Sequence, residues 1–168
     1  MPQPVQYRGM ALIVPDNDSE WKEFYEHARA HRLVVRKCKA CGLMRYPPTH
    51  ACPWCMELGW TWQEVSGRGA IYSYEIVAHA IQPGFREMTP YAVVQIELDE
   101  QRGQPTPDEA LRVIANLVKP DFTPEAEANV AIGRRVRVVF QDLADHMALP
   151  QFTLTEEPAS GRVWRMPE

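Results

Sequence analysis

No stretch of this sequence runs for the eighteen or so apolar residues that a helix needs to cross a bilayer. Positive charge is also short. Lys and Arg number 18 against 22 Asp and Glu, a formal net charge of −4, which argues against a surface that binds nucleic acid by neutralising phosphate. The first twenty residues, "MPQPVQYRGMALIVPDNDSE", lack the charged segment and apolar run of a secretory leader, so a cytoplasmic setting without a membrane is expected. No segment repeats at a fixed period, which excludes a solenoid. Cysteine is missing everywhere except between residues 38 and 55, and that exception organises the rest of the reading.

What is present is the composition of a folded protein: 168 residues, 45% hydrophobic and 24% charged. That length gives one domain, or one with a small appendage, and enough chain to bury a core. The four cysteines form two Cys-x-x-Cys pairs, Cys38/Cys41 and Cys52/Cys55, with ten residues between the pairs. Each pair lets two thiolates from one tight knuckle reach a single ion, and two knuckles complete a tetrahedral S₄ site. Gly42 follows the first pair, where a chain bending back toward the sulfurs favours positive φ. Arg36, Lys37, Lys39 and Arg45 supply positive charge around the thiolates.

In a reducing compartment such a cluster is a metal site rather than a pair of disulfides. A redox use of "CPWC" needs a βαβ context that the sequence does not offer. The donor set suits structural zinc, and iron fits the same geometry. Four thiolates leave no open coordination position, and no cysteine is left over as a nucleophile. Ser66 is not in a G-x-S-x-G context, and the lone His79 has no orienting carboxylate nearby in sequence. Asp142 and Asp145 read as solvated turn residues. No catalytic residue is expected in this chain.

Ahead of the cysteines, "PDNDSEWKEFYEHARAHRL" has helical periodicity. Trp21, Phe24, Tyr25 and Ala28 share a face, and Asn17 with Glu20 makes a capping pair. "LVVRK" then enters the cysteine region as a strand. Beyond it, "GAIYSYEIVAHA", "YAVVQIELDE", "LRVIANLVK", "RRVRVVFQDL" and "MALPQFTLTEE" are five β segments separated by Gly- and Pro-rich breakers. Ala92, Val94, Ile96 and Leu98 alternate onto one face, and so do Val136, Val138 and Phe140. A helical turn or two is expected from Pro124 to Val130. Five strands with a short helix between the third and fourth is the order of an OB-type barrel.

The expectation is therefore a mainly β chain: an N-terminal arm over 1–15, an amphipathic helix over 16–34, a zinc ribbon over 35–64, a five-stranded OB-fold barrel over 65–155, and an irregular tail over 156–168. Trp60 and Trp62 are expected to cement ribbon to barrel. Arg135 and Arg137 fall on an outward strand face, with no paired aromatic platform for stacking bases.

The succession "EWKEFYEHARAHRL", "CKACG…RYPP…CPWC", "WQEVSGRGAIYSYEIV", "HAIQPGF…TPYAVVQIELDE", "ANLV" and "GRRVRVVFQD…LPQF" resembles the DUF35 family from Ser19 to Phe152. That family joins a rubredoxin-like zinc ribbon to an OB-fold. The sequence departs from it in the longer "QRGQPTPDEA" loop and in its extra arm and tail. The resemblance implies a non-catalytic accessory subunit of an acyl-CoA-processing complex. The partner it implies is a thiolase-like acyltransferase or aldolase, or else an enoyl-CoA hydratase, which supplies the catalytic residues. The family member bridges subunits and helps hold the CoA ester.

For that ester the candidate surface is "HAIQPGFREMTPY": His79, Pro83, Gly84, Phe85, Arg86 and Tyr91, with Phe85 and Arg86 presented at a loop tip. Asn116, an amide inside an apolar strand, either pins a barrel loop or reaches the pantetheine amides. The aromatic face of the helix either packs on its own domain or docks on a partner; in the second case Trp21, Phe24 and Tyr25, with Met44, Tyr46 and Pro47 on the ribbon, are the expected anchors, because large aromatics bury much area at low entropic cost. The competing reading is a stand-alone zinc-ribbon/OB module that binds a protein or nucleic acid.

Overall fold

The computed structural model describes residues 4–13 and 19–166. Its first element is a hairpin, β1 (Val5–Tyr7) and β2 (Met10–Leu12), where a loose arm was expected. Arg8 and Gly9 between the strands both have positive φ (53° and 74°), the two-residue turn whose twist matches a hairpin. Val5 and Tyr7 point into the protein and Gln6 points out, the period of two that a half-buried strand requires.

Helix α1 (Ser19–Arg29) follows, with Glu20 in its first turn and His27 and Arg29 in its last, both favourable to the helix dipole. It is shorter than the 16–34 expected. His31 adopts φ 54°, and the Ala30, His31 and Arg32 amides turn back onto the carbonyls of His27 and Ala28, closing the helix. The capping role expected of Asn17 lies outside the described residues.

The ribbon is a three-stranded sheet of β3 (Val34–Cys38), β4 (Met44–Arg45) and β5 (Trp60–Glu64), in the order β4-β3-β5. Its centre is a cation. Arg36, only 2% exposed, lies with its guanidinium carbon 3.7 Å from the Trp60 ring centroid, bonds Glu20 of α1 at 2.7 Å and donates to the Thr49 carbonyl at 3.0 Å. Trp62 donates from Nε1 to Glu23 of α1 at 2.6 Å. Trp60 and Trp62 thus fasten the ribbon to the helix, not to the barrel as expected. Both lie on the ribbon's edge strand.

The remaining strands are β6 (Arg68–Val77), β7 (Tyr91–Leu98), β8 (Arg112–Asn116), β9 (Arg135–Ala144) and β10 (Met147–Leu154). They form one antiparallel sheet in the order β10-β9-β6-β7-β8. Its two ends approach through a parallel bridge between Leu117 and Phe152, where the Val118 amide donates to the Phe152 carbonyl at 2.8 Å. β6 pairs with β9 near its start and β7 along its length, with a register shift between Ile71 and Ser73 that bends it around the core. This is the OB arrangement, a curled sheet meeting itself rather than a fully hydrogen-bonded barrel.

The alternation of β7 is complete, with Ala92, Val94, Ile96 and Leu98 each at most 1% exposed. They join Ile71, Leu111, Val113, Leu117, Val130, Val136 and Phe152 in one core, which extends to Leu33, Val34 and Val35 of the ribbon approach and Phe24 of α1. The expected helix between β8 and β9 is a single 3₁₀ turn, Glu127–Asn129. Over 156–166 the tail is irregular but pinned, with Trp164 bridging Ile132.

One buried amide joins ribbon and barrel. Gln101, in the long loop after β7, accepts from the Met44 amide at 2.6 Å and donates to the Met44 carbonyl at 2.9 Å. Its side chain thereby presents the edge of a peptide to the outer edge of β4, the side that β3 does not pair, and satisfies both backbone polar groups of Met44 there.

Candidate functional site

The two knuckles bring all four sulfurs together. The Sγ atoms of Cys38, Cys41, Cys52 and Cys55 lie within 4.8 Å of one another, with Cys38–Cys55 and Cys41–Cys52 each at 3.6 Å. A tetrahedral ion with sulfur at about 2.3 Å spaces its ligands at about 3.8 Å, so the cluster fits such an ion. In the first knuckle Gly42, at φ 75°, lets its amide return to the Cys38 carbonyl. In the second, Met56 takes the equivalent position at φ 61°, its amide returning to the Cys52 carbonyl, an unfavourable conformation for a side-chain-bearing residue.

The thiols differ in their readiness to ionise. The Cys41 amide, outweighing burial, lowers Cys38 to about 6. At Cys55 the Glu57 amide pulls the other way, but burial and the sulfurs of Cys38, Cys52 and Cys41 push the thiol up to about 12. Four thiolates at this spacing repel one another, and a bound divalent cation is what lets them all stay charged.

The positive charges expected around the sulfurs are partly committed elsewhere. Arg36 is held under Trp60 by Glu20, and Arg45, also buried, donates to the carbonyls of Thr49 and His50. Both arginines tie down the loop between the knuckles rather than neutralise thiolates.

A cavity of about 580 Å³ opens between the hairpin, α1 and the barrel. Tyr7, Leu12 and Ile13 wall one side, Trp21, Phe24 and Tyr25 another, and Val113–Asn116 of β8 with Met147–Phe152 of β10 form its floor. Phe85 and Tyr46 complete the lining. Among the described residues no Asp, Glu, Lys, Arg or His takes part. Burial, with Tyr25 adding, pushes the Tyr46 phenol up to about 12, and burial also raises Tyr25, so these walls stay neutral.

Two of the expected ester-binding residues, Phe85 and Asn116, meet at this cavity, and the rest do not. Pro83–Met88 is a 3₁₀ helix, in which neighbours diverge by about 120°. Phe85 and Arg86 are therefore not presented together. Phe85 turns inward, its ring 6.0 Å from Tyr7 and 5.6 Å from Tyr91, while Arg86 faces solvent. His79 and Pro83 are exposed. Gly84 is needed where it stands, because a Cβ there would lie 2.4 Å from the Arg8 carbonyl of the hairpin turn.

The residues expected to anchor a partner are largely engaged within the chain. Phe24 and Met44 are 3% and 9% exposed and belong to the core, and so leave the anchor set. Trp21, Tyr25 and Tyr46 pack against that core, Trp21 lying 5.5 Å from Phe24 and 6.0 Å from Tyr46 between ring centroids. Pro47 is exposed. The large apolar side chains that face solvent include Met56 and Leu58 in the ribbon, Ile81 ahead of the 3₁₀ helix, Ile13 and Ile114 at the cavity, and Val163, Trp164 and Met166 in the tail.

Asp142, read as solvated, bonds His31 at 2.8 Å while the His31 ring stacks on Phe140 at 5.2 Å. The contact ties the end of α1 to β9. Sequence separation hid it, since the partners stand 111 positions apart. Arg135 pairs with Asp99 and Glu157, and Arg137 is exposed as expected. Ser66 serves the turn before β6, its hydroxyl accepting from the Arg68 amide. Among the described residues no helix is long and apolar enough to cross a membrane.

These features have known counterparts. Residues 26–57 match the ChsH2 rubredoxin-like zinc ribbon domain, and residues 62–141 match the ChsH2 C-terminal OB-fold domain. The chain is 33% identical over 129 residues to a probable enoyl-CoA hydratase alpha subunit of Thermomonospora curvata, matching 77% of this chain but 35% of that protein. It thus spans about a third of that relative's length. A DUF35 domain-containing scaffold protein of Methanocaldococcus jannaschii is 29% identical, covering 74% of this chain and 77% of its own. Among solved structures, the Ltp2-ChsH2(DUF35) aldolase superposes with a TM-score of 0.66 and 30% identity over 84% of this chain and 98% of that one. A zinc-ribbon match, an OB-fold match and a DUF35 structure covered almost end to end lead to one assignment: the chain belongs to the DUF35 family.

Proposed function

We propose that this chain is a non-catalytic accessory subunit of an acyl-CoA-processing assembly. Its partner would be a thiolase-type acyltransferase or aldolase, or an enoyl-CoA hydratase. The observation that carries this reading is the commitment of the thiols: every cysteine lies in one S₄ cluster, so no thiol remains for acyl transfer. The relatives agree in kind, one being named a hydratase alpha subunit, another a scaffold protein and a third an aldolase complex.

In this reading Cys38, Cys41, Cys52 and Cys55 hold one structural zinc. The ion closes the two knuckles and neutralises their charge, and no reaction passes through it. Trp21, Tyr25, Tyr46 and Pro47, with the exposed Met56, Leu58 and Ile81, form the surface offered to the partner. The Pro83–Met88 segment, with His79, Tyr91 and Asn116 around it, handles the CoA ester. Arg86 supplies a guanidinium for phosphate and Phe85 an aromatic face for the apolar portion.

The reading is tested by turnover. The purified, metal-loaded chain is expected to show no thiolysis, aldol cleavage or hydration of any acyl-CoA. Turnover by the chain alone, lost on changing one of its own residues, would overturn the accessory role. Elemental analysis is expected to give one zinc per chain, whereas an iron chromophore would contradict the zinc assignment.

A further inference from the structure

We infer that the cavity between hairpin, helix and barrel is a binding site for a neutral, apolar ligand group carrying a hydrogen-bonding oxygen, and that this group is the acyl part of the CoA ester. The inference rests on the proposed handling of a CoA ester and goes further, because it places the distal, unreacting end of the acyl group in this chain, while the carbons that react stay with the partner.

The first argument is the lining. Nineteen of the described residues surround about 580 Å³ of space, and among them no side chain other than tyrosine is ionisable. A CoA nucleotide, with its phosphates, has nothing there to neutralise it, and a free carboxylate would lose its hydration without compensation. Aliphatic and aromatic groups gain by leaving water for such walls.

The second argument is unpaired polarity. Tyr7 is 6% exposed and its hydroxyl has no hydrogen-bond partner. Gln151 is 3% exposed; one end of its amide bonds Gln141 at 2.5 Å and the other end has none. Both residues line the cavity. Buried polar groups are nearly always satisfied, and leaving one unsatisfied costs about 1–3 kcal/mol. A hydroxyl on the ligand would supply what both lack, donating to the Gln151 amide oxygen and accepting from the Tyr7 hydroxyl.

The third argument is the edge of the site. Phe85 lines the cavity, and the next residue, Arg86, stands exposed outside it. An ester whose acyl group lies inside and whose nucleotide lies outside meets an apolar face and a cation in that order. The hairpin that contributes Tyr7 and the strand that contributes Gln151 both lie outside residues 26–57 and 62–141, so the two polar groups belong to parts of this chain beyond the matched ribbon and OB-fold domains.

The test uses the full, metal-loaded chain and the neutral fluorophore N-phenyl-1-naphthylamine, which brightens in apolar sites. Saturable binding of one probe per chain is expected, displaced by 1-decanol and by decanoyl-CoA but not by CoA. Ala115→Trp and, independently, Leu149→Trp fill the cavity and should weaken probe binding at least tenfold with unchanged circular dichroism. Tyr7→Phe should lower decanol affinity about three- to tenfold, the loss of one hydrogen bond.

No saturable probe binding, or equal binding by both filled variants, would overturn the site, and neither result involves CoA. Probe bound and displaced by decanol while decanoyl-CoA stays inert would overturn the acyl assignment, and only that pattern bears on the CoA-ester reading.

Discussion

The ribbon and the barrel share one chain and are held together by different forces. The barrel buries four consecutive alternate side chains of β7 and most of the facing residues of β6, β8, β9 and β10, an apolar core of the ordinary kind. The ribbon's centre is Arg36 beneath Trp60, and its far end is four sulfurs. Too small to enclose a core of its own, it adds Val34, Val35 and Met44 to the barrel's core and relies besides on metal ligation, on an ion pair to α1 and on one glutamine from the barrel. A module held at a few points keeps its outer surface available. That surface carries the exposed Met56 and Leu58, whereas most of the barrel's large apolar side chains face inward.

The contrast is broken most severely at the metal. Cys52→Ser should abolish metal binding and unfold the knuckles, a loss on the order of 5 kcal/mol or more because ligation and folding are coupled. Metal content and loss of amide protection confined to the ribbon check it. Ile96→Ala tests the opposite half. Removing a fully buried side chain should cost about 2–5 kcal/mol in urea unfolding while leaving metal stoichiometry unchanged.

Gln101→Ala acts at the joint. It leaves both polar groups of Met44 unsatisfied, which should cost about 1–3 kcal/mol and speed exchange of the Met44 amide. A ribbon that depended on metal alone would not respond.

The smallest effect is electrostatic. Hydrogen bonding to Arg135 holds the Asp99 carboxyl below the usual carboxylate range. A folded-state value depressed in this way adds stability above the unfolded value, and that stability fades as pH falls through the folded one. Wild type should therefore lose stability below about pH 4, and Asp99→Asn should remove that component of the acid loss. Urea midpoints measured from pH 5 to pH 2.5 decide it.

Much of this architecture was legible in the sequence because it is written in local pattern. Alternation marked β7, the paired Cys-x-x-Cys marked the knuckles, and Trp21, Phe24, Tyr25 and Ala28 marked the helix face. The hairpin escaped because three-residue strands give alternation too little length, although Arg8-Gly9 was a turn signal in plain view. Arg36 read as a surface charge beside thiolates, since nothing local announces that two tryptophans and a glutamate will enclose it.

Phe85 and Arg86 looked like a pair at a loop tip until a 3₁₀ turn separated their directions. Gln101, the His31–Asp142 contact and the cavity are assembled from distant segments. Only the closing of the sheet through Leu117 and Phe152 brings β8 and β10 to a common floor.

The account stands most directly on whether the chain works as part of another enzyme's assembly. Tagged at its C-terminus and isolated from its own cells, it should be seen by native mass spectrometry with one zinc and a stoichiometric thiolase-type or hydratase subunit, and acyl-CoA turnover should appear only in that assembly. A zinc-bound chain recovered without any such enzyme, or one recovered with salt-sensitive nucleic acid instead, would contradict it.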